Sequence, residues 1–294
     1  MVQYHFLITG FFMVMLILPT GCHSTQKQGL SAQGNNHNLE ALLMNDIQDG
    51  RLDMPFDQAC LIASGVDTDK RMNTYLKKIE LLISRIRQET EINTTGDPLK
   101  KADIIFDWLQ SNANDGTYSD CYDFRDTLNL KVGNCLSYAI RFTIVSREFG
   151  IDIKNIFIPG HIYNRLVFEG QTRYFEHTHS DGIVKKKDLY NSQKKVMKDE
   201  ELVAEIFLYK ARNANNDLKY AESSKRCEQA LLFNPDDNRP VILLLDNYIA
   251  QKNYREAFRY LSHYLDQHPN DRISFNNTYI LLQRLCTKED AKVQ

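Results

Sequence analysis

At 294 residues, with 43% hydrophobic and 25% charged side chains, the chain has ordinary globular composition and is long enough for two modest domains. A formal net charge of -2 gives no reason to expect nucleic acid or an anionic membrane surface as a partner, since neither binds well without a clustered positive field. Lys185, Lys186 and Lys187 form the one tight basic run and read as a solvated loop.

The chain opens on an apolar run from Phe6 to Leu18, too short to cross a bilayer comfortably and the right length for the core of a signal peptide. The run ends in Pro19-Thr20-Gly21-Cys22, and small residues directly before a cysteine at that point resemble a bacterial lipoprotein signal. The resemblance implies a signal peptide over residues 1–21 and lipidation of Cys22. It places the protein in the cell envelope, held to the lipid bilayer by a lipid anchor, with His23 rather than Asp favouring the outer membrane. A plain secretory signal or an uncleaved anchor is the alternative. Residues 22–38 are Ser, Gln, Gly and Asn with scarcely an apolar side chain, so they cannot repay the entropy of ordering and form a flexible tether.

Folded structure is expected from Leu39. A short helix is predicted over Phe56 to Ala63, and Tyr75, Leu76, Ile79, Leu82, Ile83 and Ile86 recur at helical spacing on one face. Asp97-Pro98 is a helix start, an N-cap followed by proline at the first helical position, and Ala102, Ile105, Phe106 and Leu109 supply that helix with an apolar stripe. Trp108, the single tryptophan, reads as packing. Asn112 to Asp126 is polar and turn-rich, and it leads directly into the next helix, where it can line the rim of a site.

Lys131-Val132-Gly133-Asn134-Cys135-Leu136-Ser137-Tyr138, continued at helical spacing to Gly150, sets a cysteine at the first turn of a helix. Free backbone N–H groups and the helix dipole favour negative charge there, which is a nucleophile's position. Ile151 to Ile158 reads as a strand, and His161–Phe168, Glu169-Gly170 and Gln171–Thr178 read as a hairpin. Any odd-sum register puts His161 and Glu176 on one face of it and Ile162, Leu166, Phe168 and Phe175 on the other. Taken singly, a cysteine in an apolar helix and a histidine on a strand read as buried structural residues. Together Cys135, His161 and Glu176 suggest a nucleophile, a base and an orienting carboxylate, with the backbone N–H of Cys135 as a donor to an oxyanion.

His177-Thr178-His179, with Cys135, Glu176 or His161, is a zinc-type donor set, but His177 points away from His161 in a regular strand, and no metal is expected. The six cysteines contain no CxxC pair, which argues against a zinc ribbon or a thioredoxin-like motif. Cys60 with Cys121, or Cys227 with Cys286, are open as disulfides in an oxidising compartment, with isolated buried thiols as the preferred reading.

From Glu201 the texture changes to continuous amphipathic helix. Asn234-Pro235-Asp236-Asp237 and His268-Pro269-Asn270-Asp271 lie 34 residues apart, the tetratricopeptide period. Ala211, Ser223 and Ala230 in the first unit, and Tyr248, Ala257 and Leu261 in the second, fall at the small and aromatic positions of that repeat. Two repeats and a closing helix from about Ile273 to Leu285 are expected. They are either a groove for a protein partner or a buttress for the preceding domain.

Gly133-Asn134-Cys135-Leu136-Ser137-Tyr138, Arg147-Glu148-Phe149-Gly150-Ile151, Pro159-Gly160-His161 and Tyr174-Phe175-Glu176 resemble the transglutaminase-like superfamily. More narrowly, the chain resembles the bacterial SirB-one-type proteins, which join such a domain to tetratricopeptide repeats. The likeness extends upstream to Ala59-Cys60-Leu61-Ile62-Ala63 and Tyr75-Leu76. It implies an α+β, papain-like domain over residues 39–197, with a helix against an antiparallel sheet, and all-α repeats over 198–294. It also implies Cys135 as nucleophile, His161 as base, Glu176 at a third position where the superfamily usually carries Asp, and no cofactor. The function expected is a cysteine hydrolase or acyltransferase on amide bonds of a peptide or protein substrate. The alternative is a catalytically inactive envelope adaptor that binds a protein partner through its repeats.

Overall fold

The protein is described from a computed structural model, which covers residues 38–114, 121–179, 182, 184 and 193–293, with side chains to residue 288. Cys22, the apolar leader, most of the tether and the Lys185–Lys187 run lie outside the described residues. Among the described residues no helix is long and apolar enough to cross a membrane.

Among the described residues six α-helices precede the sheet: α1 (Leu39–Asp46), α2 (Phe56–Ala63), α3 (Asp69–Glu89), α4 (Pro98–Asn112), α5 (Phe124–Asn129) and α6 (Cys135–Glu148). Most begin where a side chain can accept the free N–H groups of a first turn. Thr68 takes the N–H of Arg71, Asp97 that of Leu99 ahead of Pro98, and Asp123 that of Arg125. Sequence reading finds α2 with the observed bounds but not α5, whose six residues are too few to show a period. Trp108 is buried as expected, with its indole N–H donated to Glu89 at 3.0 Å and the Arg85 guanidinium over its ring.

Helix α6 is the axis of the molecule. Every residue from Cys135 to Ser146 is buried, polar ones included, because α2, α3, α4, α5, the sheet and a C-terminal helix pack around it. It stops at Glu148, and Gly150 follows with φ +74, a left-handed conformation that costs glycine little.

The sheet contains β1 (Lys154–Ile158), β2 (His161–Phe168), β3 (Gln171–Phe175) and β4 (Lys195–Met197), all antiparallel, in the order β3-β2-β1-β4. Pro159-Gly160, with Gly160 at φ +82, closes β1 onto β2 as a type II turn does, and this makes His161 the first residue of its strand. Glu169 and Gly170, both at positive φ, form the tip between β2 and β3. The expected strands are trimmed: β1 starts at Lys154, after the buried Ile151 and Ile153, and β3 ends at Phe175 rather than Thr178. Phe168 was expected on the packed face; at the hairpin tip, beyond the reach of α6, it is 36% exposed. β4 was not foreseen, since three residues carry no readable alternation.

A second buried set, Ile156, Ile158, Tyr163 and Val184, covers the sheet face that carries His161, while Asn155, Ile162, Asn164, Leu166 and Phe175 share the opposite, α6-facing side. Between that side and α6 lies a polar network. Thr143 donates to Asn155 at 3.1 Å, Asn164 donates to Asn155 at 2.8 Å and to Thr143 at 3.2 Å, and Asn164 Oδ1 is 2.5 Å from His177 Nε2.

The remaining helices are α7 (Asp199–Asn216), α8 (Tyr220–Phe233), α9 (Asn238–Ala250), α10 (Tyr254–Gln267) and α11 (Arg272–Val293). Leu218 and Lys252, 34 residues apart, both adopt φ near +60, and α8 and α10 begin at Tyr220 and Tyr254, so the two helical pairs repeat in geometry. Ala211, Ser223, Ala230, Ala257 and Leu261 are buried at their contacts. The closing helix is longer than expected. Residues 36–294 form one compact unit, and the main core runs across Lys198, with Val203, Phe207 and Leu208 packed in the same cluster as Leu61, Ile140 and Val145.

Candidate active site

The site begins with the loop that starts α6. Asn134 is the N-cap, and its Oδ1 accepts the N–H groups of Leu136 at 3.0 Å and Ser137 at 3.1 Å. Ser137 Oγ in turn accepts from the Asn134 N–H at 3.0 Å, a reciprocal capping box. The Cys121 carbonyl accepts from the Asn134 N–H at 3.0 Å and from the Ser137 hydroxyl at 3.0 Å, which ties the cap to the preceding loop. A Cβ on Gly133 would lie 2.5 Å from Ser137 Oγ and 3.0 Å from both Thr127 Cγ2 and Tyr138 Cε1, so no larger residue fits beneath this box. Cys135 is thereby fixed at the first position of a 14-residue helix, with the second and third N–H groups capped by Asn134 and its own N–H left as a donor among the described residues.

The structure brings the imidazole of His161 together with both residues expected beside it. Nε2 lies 2.5 Å from Glu176 Oε2, and the Cys135 side chain is near enough to the same ring to help raise its pKa. Pairing of Asn164 with Phe175 is an odd-sum register, so His161 and Glu176 share a face even though β3 stops one residue short of Glu176. The carboxylate is 1% exposed and fully engaged. Its second oxygen, Oε1, accepts from the Thr178 N–H at 2.8 Å and the Thr178 hydroxyl at 2.6 Å. A glutamate that has left the strand can curl back in this way, which is how the longer side chain reaches the ring.

Charge follows from these contacts. Burial pulls the His161 pKa down, but the hydrogen bonds from Cys135 and Glu176 outweigh it and hold the imidazole protonated up to about 10. Burial pushes Glu176 up, and His161 with Thr178 reverse this, holding the carboxylate down at about 2. The pair is therefore ionised throughout the neutral range.

Cys60, Cys121 and Cys227 have no such environment. Cys60 and Cys227 are buried, and desolvation pushes both up, Cys60 well above the ordinary thiol value and Cys227 to about 12. Cys121 donates to Asp126 at 2.9 Å and is pushed up to about 11 by burial and that carboxylate. Cys60, Cys121, Cys135, Cys227 and Cys286 are free thiols. His177, weighed above as a zinc-type ligand, is on the other side of the sheet among Phe106, Phe142 and Asn164, and burial lowers its pKa to about 3. Among the described residues no group of three His, Cys, Asp or Glu side chains is placed to hold a metal ion.

Sequence reasoning missed Ser137 and Thr178. The Asn134-x-x-Ser137 spacing is legible as a capping box; the Thr178 turn is not, because it exists only where β3 ends early. A cleft of about 160 Å³ lined by Phe157, Lys195, Met197, Asn234, Asp236, Asp237 and Arg239 lies at the seam between the sheet and the α8–α9 turn, and it contains none of the three site residues.

The site thus sets a cysteine at a helix start, a histidine at the first position of a strand and a carboxylate just past the end of the next strand side by side. In agreement with it, residues 86–170 match the family model of the transglutaminase-like superfamily. That span includes Cys135 and His161 and ends before Glu176. No curated protein and no solved structure gives a significant match to the chain.

Proposed function

We propose that the protein is a cysteine hydrolase or acyltransferase acting on amide bonds of a peptide or protein, with Cys135 as nucleophile, His161 as acid and base and Glu176 as its orienter. The observation that carries this reading is an imidazole that Glu176 grips at 2.5 Å on Nε2 and whose pKa the neighbouring Cys135 side chain helps to raise. With Nε2 taken, Nδ1 is the nitrogen left for the thiol. The thiolate of Cys135 attacks the substrate carbonyl, and the oxyanion that forms is received by the Cys135 N–H at the helix start. As the tetrahedral adduct collapses, the imidazolium passes its proton to the departing amine, leaving a thioester. Water or a second amine then attacks the thioester, His161 takes its proton, and the Cys135 thiolate leaves, restoring the thiolate and imidazolium of the starting state. Glu176 stays ionised and keeps the ring in line.

The rest of the reading follows the sequence signals. The apolar leader ending at Cys22 supports export and lipid anchoring in the cell envelope, and the 34-residue geometry of α7–α10 supports tetratricopeptide-type pairs that present a surface to a protein partner. The adaptor alternative binds a protein partner through these helical pairs, beside the cleft that Arg239 lines. Arg239 sits over the Phe157 ring at 4.7 Å, and its charge is met by Asp237 and Glu205.

Iodoacetamide alkylation of Cys135 decides between enzyme and adaptor. The enzyme reading expects a rate well above that of a free thiol, lost in His161→Ala; a rate no faster than a free thiol and unchanged by that substitution sinks it. An activity-based thiol probe and substrate profiling would then identify the acyl donor. For the anchor, metabolic labelling with palmitate is expected to disappear in Cys22→Ser.

A further inference from the structure

Arg141, one helical stretch beyond Cys135 on α6, is 2% exposed and has no carboxylate partner among the described residues. A buried guanidinium is costly unless its donors are met. Its Nη1 donates to the carbonyls of Ala113 at 2.9 Å and Thr127 at 3.1 Å, at the C-terminal ends of α4 and α5, where helix dipoles favour a cation. Its Nη2 donates to Asn114 Oδ1, the Asn114 amide donates to Gln110 Oε1, and Gln110 Nε2 lies 3.4 Å from the carbonyls of both Glu176 and His177. Chemistry sets the direction of this chain at both ends. A guanidinium can only donate and a backbone carbonyl can only accept, so each amide between them has one usable orientation.

We propose that Arg141, Asn114 and Gln110 form a bracket joining the helix that carries Cys135 to the strand end that carries Glu176, and that they are positioning residues for the Cys135–His161–Glu176 site. The proposal rests on the catalytic reading above and deepens it. One end of the bracket is the backbone of Glu176 itself, so the bracket fixes where the carboxylate starts and how it meets the ring. A displacement of about 1 Å at such a site can cost about a hundredfold in rate. Among the described residues, the groups that face His161 are Cys135 from α6, Glu176 from the end of β3 and Tyr163 of its own strand, and the bracket joins the first two.

The test uses the full chain and Gln110→Met, which removes the donor to Glu176 and leaves the bulk. Two readouts are taken: the NMR titration of the His161 imidazole and the alkylation rate of Cys135. With the fold intact by circular dichroism, the His161 midpoint is expected to fall by about one unit and alkylation to slow by roughly threefold to tenfold, the worth of one or two hydrogen bonds. Arg141→Lys, which keeps the charge but cannot reach all three acceptors, is expected to act in the same direction; should it fail to fold, Gln110→Met alone decides. A purely structural role would lower the melting temperature and leave the midpoint in place. A folded Gln110→Met protein with the parent's midpoint and alkylation rate overturns the bracket. A parent Cys135 no more reactive than a free thiol overturns the catalytic reading instead, and the His161 titration still judges the bracket.

Discussion

At the scale of single residues, the site is set by who holds His161. Glu176→Gln keeps the shape of the side chain and removes the charge, so the imidazole loses its strongest counter-charge. The His161 midpoint is expected to drop from about 10 toward the ordinary 6.5, with Cys135 alkylation slowed roughly tenfold or more, as read by NMR titration and thiol kinetics. The same groups shape stability against pH. His161 titrates higher folded than unfolded, so its contribution is full below pH 6.5 and is lost as pH rises through about 10. Glu176 and His177 titrate lower folded than unfolded, so theirs are full above 4.5 and 6.5 and are lost as pH falls through about 2 and about 3. Thermal melts are therefore expected to weaken from pH 6.5 downward, first because the unfolded chain's His177 takes a proton that the buried imidazole does not, by an amount on the order of a few kcal/mol. A His177→Gln protein should show a flatter profile between pH 6.5 and 4.5.

At the scale of elements, the start of α6 decides whether a cysteine becomes a nucleophile. Gly133 is required by close approach alone, as its backbone passes beneath Ser137 Oγ. Gly133→Ala is expected to push Ser137 out of the capping box and destabilise the fold by about 1–3 kcal/mol, the usual cost of overpacking, with slower Cys135 alkylation; urea unfolding and thiol kinetics measure both. Much at this scale was legible. Asp97-Pro98 and Glu169-Gly170 announce a helix start and a turn because each position needs a side-chain cap, a fixed φ or a positive φ that few residues supply. α5, β4 and the early end of β3 were not legible, since short elements are stabilised by what they pack against and not by a period of their own.

At the scale of the molecule, the C-terminal helices complete the core around α6. Lys210 donates to the Ala63 carbonyl at 2.8 Å, Arg147 pairs with Asp199 at 2.6 and 2.7 Å, and Arg226 reaches Glu40 of α1 at 2.7 Å. A chain truncated after Lys198 would expose Val203, Ala204, Phe207 and Leu208's partners on α2 and α6 to water. Such a fragment is expected to lose cooperative unfolding and to be cut rapidly by protease, whereas the full chain melts in a single transition; calorimetry and limited proteolysis check this.

The sequence alone determined the position of Cys135 at a helix start and the register that places His161 and Glu176 on one face. Both are local consequences of capping and of the two-residue period of a strand. Only the tertiary structure decided that Cys135, 26 residues before His161, meets its ring, that Glu176 curls onto Thr178 to reach it, and that Arg141, Asn114 and Gln110 join the two sides. The reason is physical: these contacts link segments far apart in the chain, and their geometry comes from how α4, α6 and the sheet pack, which no local pattern encodes.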